Sequence, residues 1–303
     1  MSTTFECQSC GAALVVEAHE RTANCAYCAS PNVVARPPSR DRPSPSFVLG
    51  FVVPHEHALE TARRWVKRPL FAPRAFRRAV PSEIRGLYAP AYLYSAAAYT
   101  SFSASIGENY TVTETYTTTV NGKTVIRTRT KTVTEWRSLS GQHATYVSDR
   151  VVTASRGIPN DQLEAIEPFD LRALHRFTPK IISGWAAEEP SMAVAECVAL
   201  ARREAVDAVG RELGRFMPGD SHRNLQWQTR VDQEDLALAL LPIWVLPVRY
   251  APDKPPVRLL VNGQTGSLYG KAPVSWMKVT LAILLVVALI AALVAAVLLA
   301  ANP

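Results

Sequence analysis

The sequence predicts an α+β protein that ends in a membrane-spanning helix, and three features of the chain support this prediction. Residues 110–136 alternate in character on both sides of Asn121-Gly122, a pattern typical of a long β-hairpin with a two-residue turn. Apolar residues between Ser191 and Phe216 recur at the spacing of one helix face. Residues 279–301 carry no charge. Strands that enclose helices indicate a mixed α+β body.

The uncharged C-terminal segment predicts a single transmembrane helix. Its 23 residues would form a helix of roughly 35 Å, enough to cross the hydrocarbon core of a bilayer. Lys271, Trp276 and Lys278 precede the segment, and a positive flank is expected to stay in the cytosol. The other interpretation is a buried core helix, which would ordinarily show polar positions on one face. We therefore expect a single-pass, tail-anchored protein that contacts lipid through residues 279–301 and keeps its N-terminal part cytoplasmic.

The N-terminus carries a pattern that predicts a metal site. Four of the five cysteines form two C-x2-C pairs, Cys7 with Cys10 and Cys25 with Cys28, separated by 14 residues. Two such turns each direct two thiolates at one point, as a tetrahedral Zn²⁺ requires. Four thiolates fill all the ligand positions, so the predicted Zn²⁺ is structural and not catalytic. Short strands predicted at residues 13–16 and 22–24, between the pairs, complete a predicted zinc ribbon.

Charge and the start of the chain limit the functional classes. No charged n-region followed by a short apolar run opens the sequence, so a secretory signal is not expected. The net charge is +7, but the predicted ribbon is acidic, with Glu6, Glu17 and Glu20 against Arg21. A Zn(Cys)4 centre adds negative charge, so the ribbon should repel phosphate and contact protein or serve structure alone.

The predicted domain boundaries follow changes in composition. Residues 1–35 form the zinc ribbon, and residues 36–46 form a linker rich in proline and arginine that makes the ribbon a separate head. Residues 47–275 form the cytosolic α+β domain with hairpin 110–136, and residues 279–301 form the transmembrane helix.

Two regions of this body could bind a charged partner. The turn sets a register in which Glu114 faces Arg129. The basic stretch 63–78 contacts lipid, nucleic acid or only solvent, and the sequence leaves these three open. On the hairpin, aromatic and basic side chains could bind nucleic acid or form an ordinary exposed strand: Tyr110, Tyr116, Arg127, Arg129 and Lys131.

Several short motifs carry a resemblance to a known family. Besides the cysteine pairs and the threonine-rich hairpin, they are Phe51–Pro54, Trp65 with Phe71–Pro73, Gly86–Pro90, Gly184–Glu188, Leu241–Trp244 and Val261–Gly266. With the hydrophobic C-terminus they resemble a bacterial family of zinc-ribbon membrane proteins of uncharacterised function, some labelled primosomal protein N-prime or helicase-like. The resemblance implies no established activity and no catalytic residues. Ala29 departs from the glycine common after the second cysteine pair.

No enzyme motif can be assembled from the sequence. A nucleotide-driven motor needs a G-x-x-x-x-G-K-[ST] loop, and none is present, so the helicase label is not supported. His55 and His57 have no third ligand at helical spacing. Ser275 and Lys278 fit a loose S-x-x-K pattern, but the lysine lies where anchoring cations belong. A hydrolase with scattered catalytic residues remains a third interpretation.

The sequence therefore favours a non-enzymatic, tail-anchored protein that binds another protein, or assembles with its own kind, at the cytoplasmic face. The alternative is a membrane-tethered nucleic-acid-binding protein that uses residues 63–78 and the hairpin. The binding partner, the biological process and the oligomeric state do not follow from the sequence.

Overall fold

A computed structural model describes residues 2–7, 10–17, 27, 33–36, 43–120, 123–182 and 185–301. The chain divides into two compact units. The first unit comprises Met1–Tyr92, Val152–Val194 and Ala237–Pro303, and the second comprises Leu93–Val151 and Ala195–Leu236. The fold is mixed α+β with one large sheet and an apolar C-terminal helix, which confirms this part of the predicted fold class. The N-terminal zinc ribbon is not shown by the described residues and stays a prediction.

The secondary structure elements are numbered here in chain order. The strands are β1 Ser2–Cys7, β2 Ala13–Glu17, β3 Val33–Arg36, β4 Phe47–Val48, β5 Arg85–Val120, β6 Lys123–Thr153, β7 His175–Arg176, β8 Ala186–Glu188, β9 Ser221–Val248, β10 Val257–Asn262 and β11 Leu268–Gly270. The α-helices are α1 His55–Lys67, α2 Arg74–Arg78, α3 Asn160–Glu164, α4 Val194–Phe216 and α5 Trp276–Ala301, and a 3-10 turn spans Leu171–Ala173.

The first unit is built on strands in the order β11-β10-β9-β5-β8-β2-β1-β3, with β4 pairing to β7 and β9. Strand β8 runs parallel to β5, with Leu87 opposite Ala186, while β9 and β10 are antiparallel. Helices α1 and α2 cover β9 and β10 because their small and apolar residues face inward. The core cluster they form includes Ala58, Ala62, Val66, Phe76, Trp244, Leu246 and Leu259.

The N-terminal strands belong to this same sheet. Strand β1 pairs antiparallel with β2 and β3, and β2 pairs antiparallel with β8, with Leu14 opposite Glu188. The strand predicted at residues 13–16 is therefore present as β2, and β1 and β3 were not predicted. The predicted strand at residues 22–24 lies outside the described residues. The domain boundaries at residues 35 and 46 remain a prediction. Strand β2, within the predicted ribbon, pairs with β8 of the predicted body.

An aromatic cluster lies close to β4 in the first unit. The rings of Phe51 and Trp185 are stacked, with centroids 4.2 Å apart and planes 11° apart, and Trp244 packs against both. The indole nitrogen of Trp244 donates to the carbonyl of Val53 at 2.9 Å. At Gly86, a side chain would start 2.2 Å from the Trp185 ring, so only glycine fits there.

The second unit combines the hairpin with α4 and the first half of β9. The predicted hairpin at 110–136 is present, but its strands extend over 36 residues in β5 and 31 residues in β6. Its extent was underestimated because β5 is buried on both faces from Leu87 to Tyr94, so no alternation marks its start. The turn at 121–122 lies outside the described residues.

The predicted register of the hairpin and the predicted core helix are both confirmed. Arg129 donates to Glu114 through Nε at 3.0 Å and Nη2 at 2.8 Å, so these two residues face each other. Helix α4 covers most of the predicted segment 191–216. Its buried residues are Cys197, Ala201, Ala205, Val209, Gly210 and Leu213. Cys197 is fully buried, as expected for a small core residue.

Candidate metal site and membrane helix

The first cysteine pair lies on a tight turn between β1 and β2. The amide of Cys7 donates to the carbonyl of Ala12 at 2.8 Å, and the amide of Gly11 donates to the carbonyl of Cys7 at 2.8 Å. Gly11 adopts φ +72°, a left-handed conformation that glycine takes at low cost. Cys7 is buried and Cys10 is half-buried. The turn therefore holds both cysteines of the predicted pair close together.

The second cysteine pair lies outside the described residues. Among the residues that the structure describes, no group of three or more histidine, cysteine, aspartate or glutamate side chains is arranged to hold a metal ion. Cys25 and Cys28 would have to supply the other two ligands. The donor chemistry and the closed turn at Cys7 and Cys10 fit Zn²⁺, and zinc binding stays a prediction.

Tyr27, between the two cysteines of the second pair, is fully buried in the first unit. Its hydroxyl donates a short hydrogen bond to the carboxylate of Glu188 in β8. Glu188 is 2% exposed and accepts a further bond from Ser155 Oγ at 2.8 Å and one from the Ala13 amide at 3.3 Å. Burial, and then the neighbouring Glu188 carboxylate, raises the pKa of Tyr27 well above its ordinary value.

Two further residues shape the pocket around Tyr27. The guanidinium of Arg258 lies 5.9 Å from the centre of the Tyr27 ring and donates to Gln162 Oε1 at 2.6 Å. A side chain at Gly157 would start 3.0 Å from the ring and 2.7 Å from the Ala12 methyl group. The body is thus shaped to receive the segment that carries the second cysteine pair.

Sequence reasoning did not identify Tyr27 or Glu188 as partners. Glu188 closes the Gly184–Glu188 motif, and a carboxylate that ends a short apolar strand is the only signal that could have singled it out. A tyrosine between two cysteines carries no pairing information by itself. The partner becomes visible only once β2 and β8 are neighbours.

Helix α5 is the one helix among the described residues that is long and apolar enough to cross a membrane. The candidate span Trp276–Val297 has 22 residues, and none of it is buried within the protein. A core helix would bury its apolar side chains, so this finding disfavours the other interpretation of the segment. The predicted span began at residue 279, and the helix itself begins three residues earlier.

The first turn of α5 is hydrogen-bonded to the loop between α1 and α2. Lys278 Nζ donates to the carbonyls of Leu70 at 3.3 Å and Ala72 at 2.5 Å. The amide of Ser275 donates to the carbonyl of Phe71 at 2.8 Å. We call residues 70–72 and 275–278 together the α5 root. Both residues of the S-x-x-K pattern therefore make hydrogen bonds that attach α5 to this loop.

The hairpin residues considered for nucleic acid lie on exposed strands. Tyr110 and Tyr116 are 48% and 42% exposed, and the Arg129 guanidinium lies 5.6 Å from the Tyr116 ring centre. Arg129 is paired with Glu114, and it holds the pKa of that carboxyl below its usual value. Arg137 lies near Glu135 at 3.4 Å. Part of the positive charge of the hairpin is therefore neutralised locally.

A cavity of about 750 Å³, lined mostly by residues with polar side chains, lies in the second unit. The Nε2 atom of His143 is buried without a hydrogen-bond partner among the described residues. No hydrogen bond links a described serine of this cavity to His143. His55, considered as a metal ligand, instead packs its ring against Trp244 at 5.8 Å. The cavity is lined by Tyr99, Thr100, Ser101, Gln142, His143, Ala144, Gln228, Thr229 and Arg230.

Comparison with known proteins adds one distant relative. The chain is similar to a Bacillus subtilis (strain 168) protein described as "Uncharacterized protein YdjG", with 24% identity over 246 residues. The match covers 78% of this chain and 66% of the relative, so the chain spans just under two-thirds of that protein. No family model and no solved structure matches the chain.

Proposed function

We propose that this protein is a tail-anchored membrane protein with a structural zinc ribbon that binds another protein, or a second copy of itself, at the cytoplasmic face. The observation that carries the proposal is the open edge of β6. This strand has 31 residues and, among the described strands, pairs only with β5. Its outer row of backbone N–H and C=O groups is available to an added strand.

The composition of this edge suits regulated pairing rather than free aggregation. Charged residues interrupt β6, including Arg127, Lys131 and Arg137, and such charges discourage unspecific strand addition. A partner strand with complementary carboxylates would satisfy the backbone groups and would also pair with Arg127 and Lys131. Strand addition is a common mode of peptide recognition, in which the backbone supplies affinity and side chains supply specificity.

The membrane anchor rests on α5. An unburied apolar helix of 22 residues would expose most of its side chains to water in a soluble protein, at a cost that a bilayer removes. The cations at Lys271 and Lys278 flank its N-terminal end. By the positive-inside rule, the body then lies in the cytoplasm.

The zinc ribbon acts in this proposal as a clamp on the sheet rather than as a reaction centre. Cys7, Cys10, Cys25 and Cys28 would hold Zn²⁺ with four thiolates, which leaves no position for water or substrate. The buried Tyr27 and the β2–β8 pairing connect this segment to the body. Metal binding would therefore stabilise the body sheet together with the ribbon.

The nucleic-acid alternative is less well supported by the contacts of the hairpin. Binding to nucleic acid depends on unpaired basic side chains that neutralise its phosphates and so release the counterions condensed on it. Arg129 already donates two hydrogen bonds to Glu114 Oε2, and Arg137 is paired with Glu135 at 3.4 Å. A gel-shift titration of the detergent-solubilised protein tests this alternative, because such binding must weaken steeply as salt increases.

Proline substitutions in β6 test the proposed binding edge. In an antiparallel strand, neighbouring N–H groups point alternately toward the paired strand and away from it. Of Thr132→Pro and Val133→Pro, one therefore removes an N–H that bonds β5 and the other removes an N–H of the open edge. Thermal unfolding in detergent shows which variant is which. The variant that loses a hydrogen bond to β5 is less stable, and the variant that keeps its stability is the open-edge variant.

Both variants and the wild type, each with an affinity tag, are then purified from solubilised membranes together with an untagged copy. We expect the open-edge variant to lose most of the co-purified protein, whether a partner or the untagged copy. A Cys7→Ser, Cys10→Ser variant shows whether the ribbon contributes. Unchanged co-purification by the stable proline variant would overturn the assignment of β6 as the binding edge.

A further inference from the structure

The segment from the end of α1 to the end of α2 concentrates positive charge. Between Lys67 and Arg78 it carries five basic residues and no carboxylate. All five side chains are exposed. They are Lys67, Arg68, Arg74, Arg77 and Arg78. Such a cluster attracts an anionic surface over a distance of about one Debye length, roughly 8 Å at physiological salt.

The loop inside this basic segment presents apolar side chains to solvent. Leu70 is 73% exposed and Phe71 is 48% exposed. Near them in the α5 root, Trp276 is 77% exposed and Met277 is 80% exposed. Exposed large apolar residues that are bordered by cations match the composition of a membrane-water interface, where aromatic rings lie among headgroups.

The hydrogen bonds of the α5 root fix the height of this loop along α5. Lys278 lies two residues after the start of α5, which is about 3 Å along the helix axis. Because Lys278 Nζ bonds the carbonyls of Leu70 and Ala72, these residues lie level with the first turn of α5. The headgroup layer on each side of a bilayer is about 5–7 Å thick. A bilayer crossed by α5 therefore meets the loop at headgroup depth.

The core of the first unit holds α1 and α2, the helices on either side of the loop, in place. Val66 and Phe76 are buried in the core cluster that includes Trp244 and Leu259, so the opposite sides of α1 and α2 carry the cations. Arg77 Nε also donates to the carbonyl of Lys67 at 3.2 Å, which joins the end of α1 to α2. Ordering these cations on a lipid surface thus requires little additional rearrangement.

A cavity of about 400 Å³ opens beside α2 and gives one cation a defined environment. Arg78 and Arg249 both line it, together with Tyr250 and Pro252. An arginine that lines a small cavity suits a phosphate group, which arginine binds through paired N–H donors.

We propose that the α1–α2 segment is a second membrane contact, in which Leu70 and Phe71 enter the interface and the surrounding cations bind anionic lipid headgroups. The inference rests on the proposed membrane anchor, since α5 brings the loop to the bilayer. The partner is the anionic leaflet itself. This contact fixes the side of the body that faces the lipid.

Hydrogen exchange of the full-length chain in lipid nanodiscs tests this contact. One set of discs contains phosphatidylcholine alone, and the other contains about 30% phosphatidylglycerol in the same lipid. We expect the amides of residues 67–78 to exchange at least about fivefold more slowly in the anionic discs, since each surface cation strengthens such attachment by about that factor. Salt at about 1 M shortens the Debye length to about 3 Å and should remove the difference.

Two variants separate charge from insertion. Arg68→Gln, Arg74→Gln, Arg78→Gln should abolish the anionic-lipid effect, and Leu70→Ser, Phe71→Ser should reduce protection in both kinds of disc. The matched control, Arg203→Gln, Arg211→Gln, Arg215→Gln, removes the same charge from exposed positions of α4 and should leave the effect intact.

The outcomes distinguish this inference from the anchor on which it rests. A chain that enters the discs but shows equal exchange of residues 67–78 in both lipids overturns the second contact alone. A chain that never co-elutes with discs overturns the anchor. Equal loss of the lipid effect in the α4 control would assign it to net charge rather than to this segment, and would also overturn the inference.

Discussion

The hydroxyl of Tyr27 donates a hydrogen bond to the carboxylate of Glu188, 161 residues further along the chain. Because Tyr27 lies between Cys25 and Cys28, this bond connects the second cysteine pair to strand β8 of the body. The second unit contains the same pairing, in which Tyr94 donates to Glu234. In each case a tyrosine whose pKa is raised by burial shares a carboxylate with other donors.

Replacing the buried hydroxyl should destabilise the first unit. Tyr27→Phe removes one donor from Glu188, which keeps its bonds to Ser155 and Ala13, so we expect a loss of about 1–3 kcal/mol in the free energy of unfolding. Urea unfolding in detergent, followed by tryptophan fluorescence, measures the loss. Tyr110→Phe, at an exposed position of β5, is the control and should change stability by less than about 0.5 kcal/mol.

The raised pKa of Tyr27 also predicts how this loss depends on pH. Above pH of about 10 the unfolded chain releases the tyrosine proton while the folded chain retains it. Stability that is present below that pH is therefore lost as pH increases. The difference in the free energy of unfolding between wild type and Tyr27→Phe should therefore decrease above pH of about 10, by up to about 1.4 kcal/mol per pH unit. A gap independent of pH would contradict the raised pKa.

Zinc content provides a direct test of the cysteine prediction. Purified wild type should contain about one zinc per chain, and Cys7→Ser, Cys10→Ser should contain almost none, because two thiolates cannot hold Zn²⁺ tightly. Elemental analysis by mass spectrometry after dialysis gives the ratio. Cys197→Ala is the matched control, since this cysteine is buried in α4 and should not affect the metal. Wild type free of zinc would end the ribbon hypothesis.

The carboxylate of Glu234 should stabilise the second unit except in acid. Hydrogen bonds from Arg202 hold its pKa below the usual value, so the stabilisation is present above pH of about 4.3 and is lost as pH falls through the folded pKa. Glu234→Gln should cost about 1 kcal/mol at pH 7 and much less near pH 3. Denaturant midpoints across this range provide the measurement.

Asp232 supplies the comparison for that experiment. It pairs with Arg230 at 2.9 Å, but the two side chains are 42% and 74% exposed. Asp232→Asn should therefore change stability by less than about 0.5 kcal/mol at any pH. A larger loss of stability in Asp232→Asn than in Glu234→Gln would contradict the stabilising role assigned to the hydrogen bonds among Tyr94, Glu234 and Arg202.

Asn262 should be intolerant of a charge. Its side chain is fully buried, and its Nδ2 donates to the carbonyls of Ile166 at 2.9 Å and Pro168 at 3.1 Å. Asn262→Asp removes both donors and places a carboxylate against two carbonyl oxygens, which should cost about 2–4 kcal/mol. Gln264→Glu, which keeps the acceptor for the Asp170 amide, should cost less than about 0.5 kcal/mol. Equal thermal stability of both variants would be inconsistent with these bonds.

The sequence by itself determined the elements whose signal is local. Charge-free length identifies α5, apolar spacing identifies α4, and the Asn-Gly turn with its flanking alternation sets the register that pairs Glu114 with Arg129. The tight turn at Cys7 and Cys10 follows from the C-x2-C-Gly spacing in the same way. Each of these depends on neighbours within a few residues or on one short turn.

Only the tertiary structure decided which distant segments meet. Three contacts join positions that are more than 150 residues apart. They are the pairing of β2 with β8, the hydrogen bond from Tyr27 to Glu188, and the hydrogen bond from Lys278 to the loop at residues 70–72. The full length of β5 was also hidden, because a strand buried on both faces loses its alternation. Local propensity carries no information about such contacts, since they arise from burial and hydrogen bonding across the folded sheet.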